Sequence, residues 1–250
     1  MAKKTLGEIV QDILNDLDAD PVNTINDTVE SLQVAQIVRS TYEEMMANKN
    51  WPHLKTVGEL DSLSDTSKPS KAGVPVLCKE LINIRYNKRK STDSRDKFTK
   101  ITYMEPDAFL DLVNARDSSA SNVLTVEDYG QVDLFIYNDR PPTYWTSFDD
   151  EYVYFDSYDS DVEDTIHGNK SQVLMYKSPT FIFTNNFTPD LPEEAFPALV
   201  EEAKSTAFMR LKQVQDGKSE QKARRSHSFL SRKAWKLSGG IKRKDFSRKV

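Results

Sequence analysis

The spacing of apolar residues changes twice along this chain of 250 residues. Leu6, Ile9, Val10, Ile13, Leu14 and Leu17 fall on one continuous helical face. Val34, Ile37, Val38, Tyr42, Met45 and Met46 form a second such face. From Val74 onwards the pattern turns to short runs of Val, Ile, Leu and aromatic residues, broken by turn signals. Helical spacing returns after Pro192 with Phe196, Leu199, Val200, Ala203, Ala207, Phe208 and Leu211. This order predicts an α+β class: a helical bundle from the N- and C-terminal helices, plus an antiparallel β-sandwich or barrel as the middle domain.

Local signals set the expected boundaries. Thr5 with Glu8 is a capping box, and Asp20-Pro21 is expected to end the first helix. Asp27 with Glu30 repeats the cap logic for the second helix, which Trp51-Pro52 forces into an extended exit. With a short loop between them, the two helices are expected to pack as an antiparallel hairpin. Strands are expected at Val74 to Tyr86, Phe98 to Tyr103, Val132 to Tyr137, Thr143 to Phe148, Glu151 to Phe155, Val173 to Tyr176 and Thr180 to Phe183. Glu105-Pro106 opens one inserted helix, with Phe109, Leu112 and Val113 facing inward. Ser62 to Lys71 and Ser91 to Lys97 read as mobile loops. Pro197 belongs in the first turn of its helix, and Asp216-Gly217 marks a break. Beyond it, only Ala223, Leu230, Ala234 and Leu237 are available to line a helical face. The expected organisation is a helical hairpin at 1–50, a β domain with one inserted helix at 51–189, helices packing on the bundle at 190–237, and a basic docking tail at 238–250.

Charge is divided just as sharply. Lys218 to Val250 holds twelve Lys/Arg against two acids, a net of +10. The whole chain is −5, so residues 1–217 carry −15. An acidic body with a basic arm points towards assembly or binding rather than small-molecule catalysis. Hydrophobic content of 38% is low for a monomeric globule, so contacts between chains are expected to supply part of the stability. Cys78 is the single cysteine, which excludes an intrachain disulfide and a cysteine metal cluster. No apolar run approaches the roughly 20 residues that span a bilayer. After Met1-Ala2-Lys3-Lys4, the interruptions Glu8, Gln11 and Asp12 mark an amphipathic helix rather than a secretory core. The expectation is a soluble protein made in the cytoplasm, without membrane contact.

The search for chemistry is mostly negative. His53, His167 and His227 stand far apart, without metal-ligand spacing. There is no Gly-x-Ser-x-Gly, phosphate loop or dinucleotide glycine pattern. No enzyme, cofactor or metal is therefore expected. Two charged constellations remain. Eight acids, Asp149, Asp150, Glu151, Asp156, Asp159, Asp161, Glu163 and Asp164, lie between Ser147 and Asp164 with no Lys or Arg among them. They read as a solvated acidic hairpin, as a surface that keeps DNA from sticking, or as a cation site lacking the glycine turn of an EF-hand loop. The nearby aromatics Tyr144, Trp145, Phe148, Tyr152, Tyr154, Phe155 and Tyr158 read as core or cross-strand pairs, since base stacking wants cations beside it. The basic arm carries Arg224, Arg225, Arg232, Lys233, Lys236, Lys242, Arg243, Lys244, Arg248 and Lys249, interleaved with Phe229, Trp235 and Phe246. Solvated tails rarely hold Trp and Phe, so these rings read as anchors for a groove with charges at its rim. Nucleic-acid binding by the same arm is the alternative.

Three stretches of the first helical region carry a resemblance: Asp12 to Leu17, Pro21-Val22-Asn23-Thr24-Ile25, and Ala35-Gln36-Ile37-Val38 through Trp51-Pro52. With Pro142 to Asp150 and Ala203 to Arg225, they resemble the head-to-tail adaptors of short-tailed phages, the tail tubular protein A family. Asn50-Trp51 stands where that family has Arg-Gly-Trp. The resemblance implies a structural protein of the virion tail or neck, synthesised in the host cytoplasm. It implies a ring of 12 copies that joins the portal protein to the tail nozzle protein around a DNA channel. Genomic DNA would pass through without specific binding, the free protein would be monomeric until it docks, and no cofactor or catalysis would be involved. The arm residues from Arg224 to Lys249 would then dock on the portal. The eight acids from Asp149 to Asp164 would face the channel or the nozzle.

Overall fold

The structure, a computed structural model, describes residues 3–63, 65, 67–90, 92–128, 132–162 and 170–232. The chain divides into two compact units, Met1–His53 with Pro179–Val250, and Leu54–Ser178. The class is α+β. The described residues hold five helices, a curled mixed sheet of seven strands and a two-stranded sheet.

In the first unit, α1 (Leu6–Asp16) buries the whole predicted stripe, with Leu17 just beyond it. The Thr5 capping box forms as expected: the Glu8 N–H donates to Thr5 Oγ1 at 3.3 Å, and the Thr5 N–H donates to Glu8 Oε2 at 2.7 Å. Other N-terminal donors find partners further along the chain. The Leu6 N–H donates to the Phe187 carbonyl at 2.7 Å and the Gly7 N–H to the Asn185 carbonyl at 3.0 Å. The helix stops before Asp20-Pro21, because Asp18 turns left-handed at φ 55. In α2 (Val29–Asn48) the cap is Thr28 with Ser31, not Asp27 with Glu30. Asp27 is occupied elsewhere, since its Oδ2 accepts the Asn23 and Thr24 N–H groups at 2.8 Å each. Trp51 is buried after α2, and its Nε1–H donates to the Met45 carbonyl at 3.1 Å.

The C-terminal helices follow from small residues. Pro197 lies in the first turn of α4 (Phe196–Ala207), where its missing N–H costs nothing. Ala198, Ala203 and Ala207 are buried, and α4 packs against α2 and the last helix, α5 (Gly217–Arg232). A π turn at Phe208–Lys212 and a left-handed Gln213 at φ 55 reverse the chain between them. Asp216 caps α5: its Oδ1 accepts the Lys218 and Ser219 N–H groups at 3.1 and 3.3 Å, and Ser219 Oγ donates to Oδ2 at 2.5 Å. These bonds hold the Asp216 pKa below the usual carboxylate value. Residues 180–183, expected as a strand, pair with no strand among the described residues. Phe181 packs on Tyr42 and Phe187 at ring distances of 5.6 and 4.6 Å. Alternating aromatics here serve ring packing, and the segment leads into the Asn185 and Phe187 carbonyls that complete α1.

The second unit is built on one sheet. Its strands are β1 (Lys55–Gly58), β2 (Lys71–Gly73), β3 (Cys78–Asn87), β4 (Phe98–Tyr103), β7 (Tyr144–Thr146), β8 (Tyr152–Phe155) and β9 (Ser171–Lys177). The spatial order is β1-β9-β3-β4-β7-β8-β2. Asp61, just past β1, exchanges two hydrogen bonds of 2.9 Å with Gly73 of β2, so the two edge strands meet and the sheet curls on itself. Every pairing is antiparallel except β4 with β7. A parallel neighbour needs a long crossover. Residues 104–143 supply it, carrying α3 (Pro106–Asn114) and the hairpin of β5 (Val123–Asp128) with β6 (Val132–Tyr137). Phe109 and Val113 of α3 close the core over Ile84, Tyr86, Ile101, Val153 and Phe155.

One buried ion pair fastens the crossover to the sheet. The side chains of Arg116 and Asp156 are only 6% and 7% exposed, with Nη2 3.3 Å from Oδ2. Arg116 Nη1 also donates to the Phe135 and Asp156 carbonyls at 2.8 and 2.5 Å. Asp156 Oδ1 accepts the Thr143 and Tyr144 N–H groups at 2.9 Å each. Burial pulls the Arg116 pKa down, and the Asp156 carboxylate opposes that shift. Removing one partner strands the other as a buried charge, which costs about 3–5 kcal/mol. Arg116→Met is therefore expected to lose about that much stability in urea unfolding followed by circular dichroism. A loss below about 1 kcal/mol, the level of an exposed pair, would contradict this reading. Asp216→Ala should cost about 1 kcal/mol in the same assay, the typical value of a helix cap.

Candidate functional site

α5 is held to its unit by a narrow seam and turns most of its surface outward. Ser219, Ala223 and Leu230 are buried. Arg224 is exposed and pairs with Glu220 one turn before it. Arg225 is also exposed, and Phe229 is 56% exposed between the basic residues. Lys222 reaches Glu201 of α4 at 3.0 Å, and His227 Nε2 lies 3.7 Å from Glu202 Oε2. Of the predicted docking residues, the structure brings Arg224, Arg225 and Phe229 onto one described helix. The backbone of Arg232 ends that helix. Lys233, Trp235, Lys236, Lys242, Arg243, Lys244, Phe246, Arg248 and Lys249 lie outside the described residues.

Two clefts flank α5 within this unit. One, of about 510 Å³, is lined by Glu193, Glu194 and Pro197 on one side and Arg225, Ser226 and Phe229 on the other. The second, of about 580 Å³, gathers Glu44, Lys49, Trp51, Glu202, His227 and Ser231. Titratable groups converge there, so catalysis has to be considered on geometry. Lys49 Nζ donates to the Leu230 carbonyl at 2.9 Å and stands 4.7 Å over the Trp51 ring, where burial lowers its pKa. Ser231 Oγ donates to the Ser228 carbonyl at 2.9 Å. The lysine thus satisfies a helix-end carbonyl and the serine a backbone carbonyl.

The acidic run does not form one surface. Asp149 is half-buried, and its Oδ1 accepts the Glu151 and Tyr152 N–H groups at 3.0 Å each, which shapes the β7–β8 turn. Asp150, at φ 60, and Glu151 are exposed at that turn. Asp156 and Asp159 correct the prediction of a channel or nozzle face. They are only 5% and 6% exposed. Asp156 is consumed by Arg116 and by the start of β7, and Asp159 Oδ1 accepts the Asp161 N–H at 3.1 Å. Asp161 is exposed and pairs with Lys90 at 3.3 Å. Glu163 and Asp164 lie outside the described residues. The neighbouring aromatics are core, as expected: Tyr154 and Phe155 are buried, and Phe148 packs on Tyr154 at 4.9 Å. Among the described residues, no group of three His, Cys, Asp or Glu could hold a metal ion.

Sequence reasoning missed a second basic element. Arg85 to Lys100 contains seven Lys/Arg against two Asp. The structure makes this the β3–β4 hairpin. At the base of its loop the Lys88 N–H donates to the Lys97 carbonyl at 2.9 Å. Asn87 Oδ1 also accepts the Arg89 and Lys97 N–H groups at 3.1 and 3.0 Å. The Ser-Thr-Asp-Ser tip hid the charge count, which was readable as a local excess in an acidic body.

Compared with known protein families and with curated proteins, the chain matches no family model and no curated protein.

Proposed function

We propose that this chain is a structural assembly protein, a head-to-tail adaptor that docks its basic C-terminal helix and arm on a portal ring. In this reading it connects the portal to the tail nozzle as a closed ring around a DNA channel. The observation that carries the reading is α5. It buries Ser219, Ala223 and Leu230 against its unit, carries Arg224, Arg225 and the exposed Phe229 on its outer surface, and precedes the arm in sequence. An aromatic anchor rimmed by cations suits a groove with acidic edges on another protein. The body behind it is acidic, which keeps the channel from retaining a polyanion that approaches within the screening length of about 8–10 Å.

The test is docking. Purified portal rings are mixed with the full chain, with a chain lacking Gly239–Val250, and with F229A/R225E, and co-sedimentation is measured. The shortened chain should lose docking while its circular dichroism stays unchanged. F229A/R225E should weaken docking at least tenfold. Normal docking by the shortened chain would overturn the proposal. So would arm-dependent binding to duplex DNA, steeply weakened by salt, without portal docking.

A further inference from the structure

Along β4 and β7 of the second unit a basic hairpin and an acidic turn lie at opposite ends, while Lys79 of β3 and Lys177 of β9 share the end of the acidic turn. The β3–β4 hairpin carries Arg85, Lys88, Arg89, Lys90, Arg95, Lys97 and Lys100. Three of these are paired: Arg89 with Asp96 at 3.3 Å, Lys97 with Asp93 at 2.9 Å, and Lys90 with Asp161 at 3.3 Å. Arg85, Lys88, Arg95 and Lys100 have no ion-pair partner among the described residues. Arg85 and Lys100 face each other across the β3–β4 register.

Topology fixes what lies at the far end. β4 leaves the hairpin at Phe98 and runs to Tyr103, and the chain continues into Glu105 and Asp107 at the start of α3. β7 runs parallel to β4 and ends in the Asp149-Asp150-Glu151 turn. Both acidic segments therefore sit at the end of the sheet opposite the basic hairpin. Tyr103 links them: burial raises its pKa first, and the nearby Glu105 and Asp150 carboxylates raise it further. Glu105, Asp107, Asp150 and Glu151 are exposed and pair with no cation among the described residues. Six residues of β4 separate the ends by about 17 Å at about 3.3 Å per residue. That is about twice the screening length at physiological salt, so the two ends of one copy do little to neutralise each other.

We infer that the basic β3–β4 hairpin is a docking surface for a second copy of this chain, received by the acidic end of the neighbouring sheet. The match is one of charge between two sites on the same unit: four hairpin cations and four acids that have no ion-pair partner among the described residues. Because the two sites are different and lie at opposite ends, the contact is heterologous. Such contacts propagate from copy to copy and close into a ring when the rotation allows. The inference rests on the adaptor reading for its ring, but involves a different part of the chain from the arm.

The experiment is zero-length carbodiimide coupling, which joins lysines to carboxylates in contact. The full chain, at a concentration high enough to bring otherwise monomeric free copies together, is treated from about 10 mM to about 1 M salt, across which the screening length falls from about 30 Å to about 3 Å. The expected result is a ladder extending beyond dimers at low salt and fading at high salt. Its peptides should join Lys88 or Lys100 to Glu105, Asp107 or Glu151. R85E/K88E/R95E/K100E and E105K/D107K/E151K should each lose the ladder at least tenfold. Mixing the two reversed variants should restore it, which also shows that both are folded. A ladder that ignores salt, that stops at dimers, or that survives both reversals would overturn the inference. So would loss of duplex DNA binding by the hairpin variant with its ladder intact. Repeating the coupling on the chain lacking Gly239–Val250 separates the two readings. That chain should still form the ladder whether or not it docks on a portal.

Discussion

The Asp156 carboxylate is the point to which the second unit is tied. One oxygen takes the N–H groups that open β7, and the other takes the guanidinium of Arg116, which in turn holds the Phe135 carbonyl of β6. The 40-residue crossover that makes β4 and β7 parallel is thereby fastened in its middle, at Arg116 and Phe135, and at its end, at Thr143, by one buried pair. Tyr137 is gripped between Arg116 and Arg140 at 4.1 and 4.0 Å, which extends the fastening to the neighbouring loop. Arg140 in turn holds Asp139 at 2.7 Å and keeps its pKa down to about 2. A charge pair of this kind adds little net stability over a well-packed apolar substitute, but its geometry admits one arrangement of the crossover. The positions of the basic hairpin and the acidic turn at opposite ends depend on that arrangement.

With the crossover fixed, the remaining question is where an acidic body places its cations. Some are used internally: Arg116 in the core of the second unit, Lys49 at the end of α5, and Lys204 on Asp16 at 2.6 Å between α4 and α1. Nineteen of the 34 Lys/Arg lie in the β3–β4 hairpin, with seven, and in Lys218 to Val250, with twelve. Surface ion pairs contribute little to the stability of one chain. In the proposed assembly their value lies in association, where complementary fields steer encounter and set register.

Features written in local chemistry were legible in the sequence. The α1 stripe, the Thr5–Glu8 box, Pro197 in the first turn of α4 and the break before Gly217 all depend on residues within a few positions of each other. Where two caps competed, the sequence did not decide: Asp27 and Thr28 are adjacent, and the preceding turn took the aspartate. β1 and β2 were missed because Lys-Thr-Val-Gly and Lys-Ala-Gly are too short and polar to signal a strand. They pair only because β9 and β8 offer them an edge. Asp156 was misread as a surface acid because its cation lies 40 residues upstream. Arg224, Arg225 and Phe229 were found by composition, while the hairpin cations were hidden by the turn residues between them.

We propose that the cations of the β3–β4 hairpin and of the C-terminal arm are the contacts of the assembly. Amine footprinting tests it most directly. The full chain is acetylated briefly, alone and after assembly with portal rings, and lysine reactivities are compared by mass spectrometry. The account predicts that Lys88, Lys100, Lys242 and Lys244 lose reactivity on assembly, while Lys218, at the foot of α5, keeps its own. Unchanged reactivity at those four lysines in a fully assembled complex would contradict it.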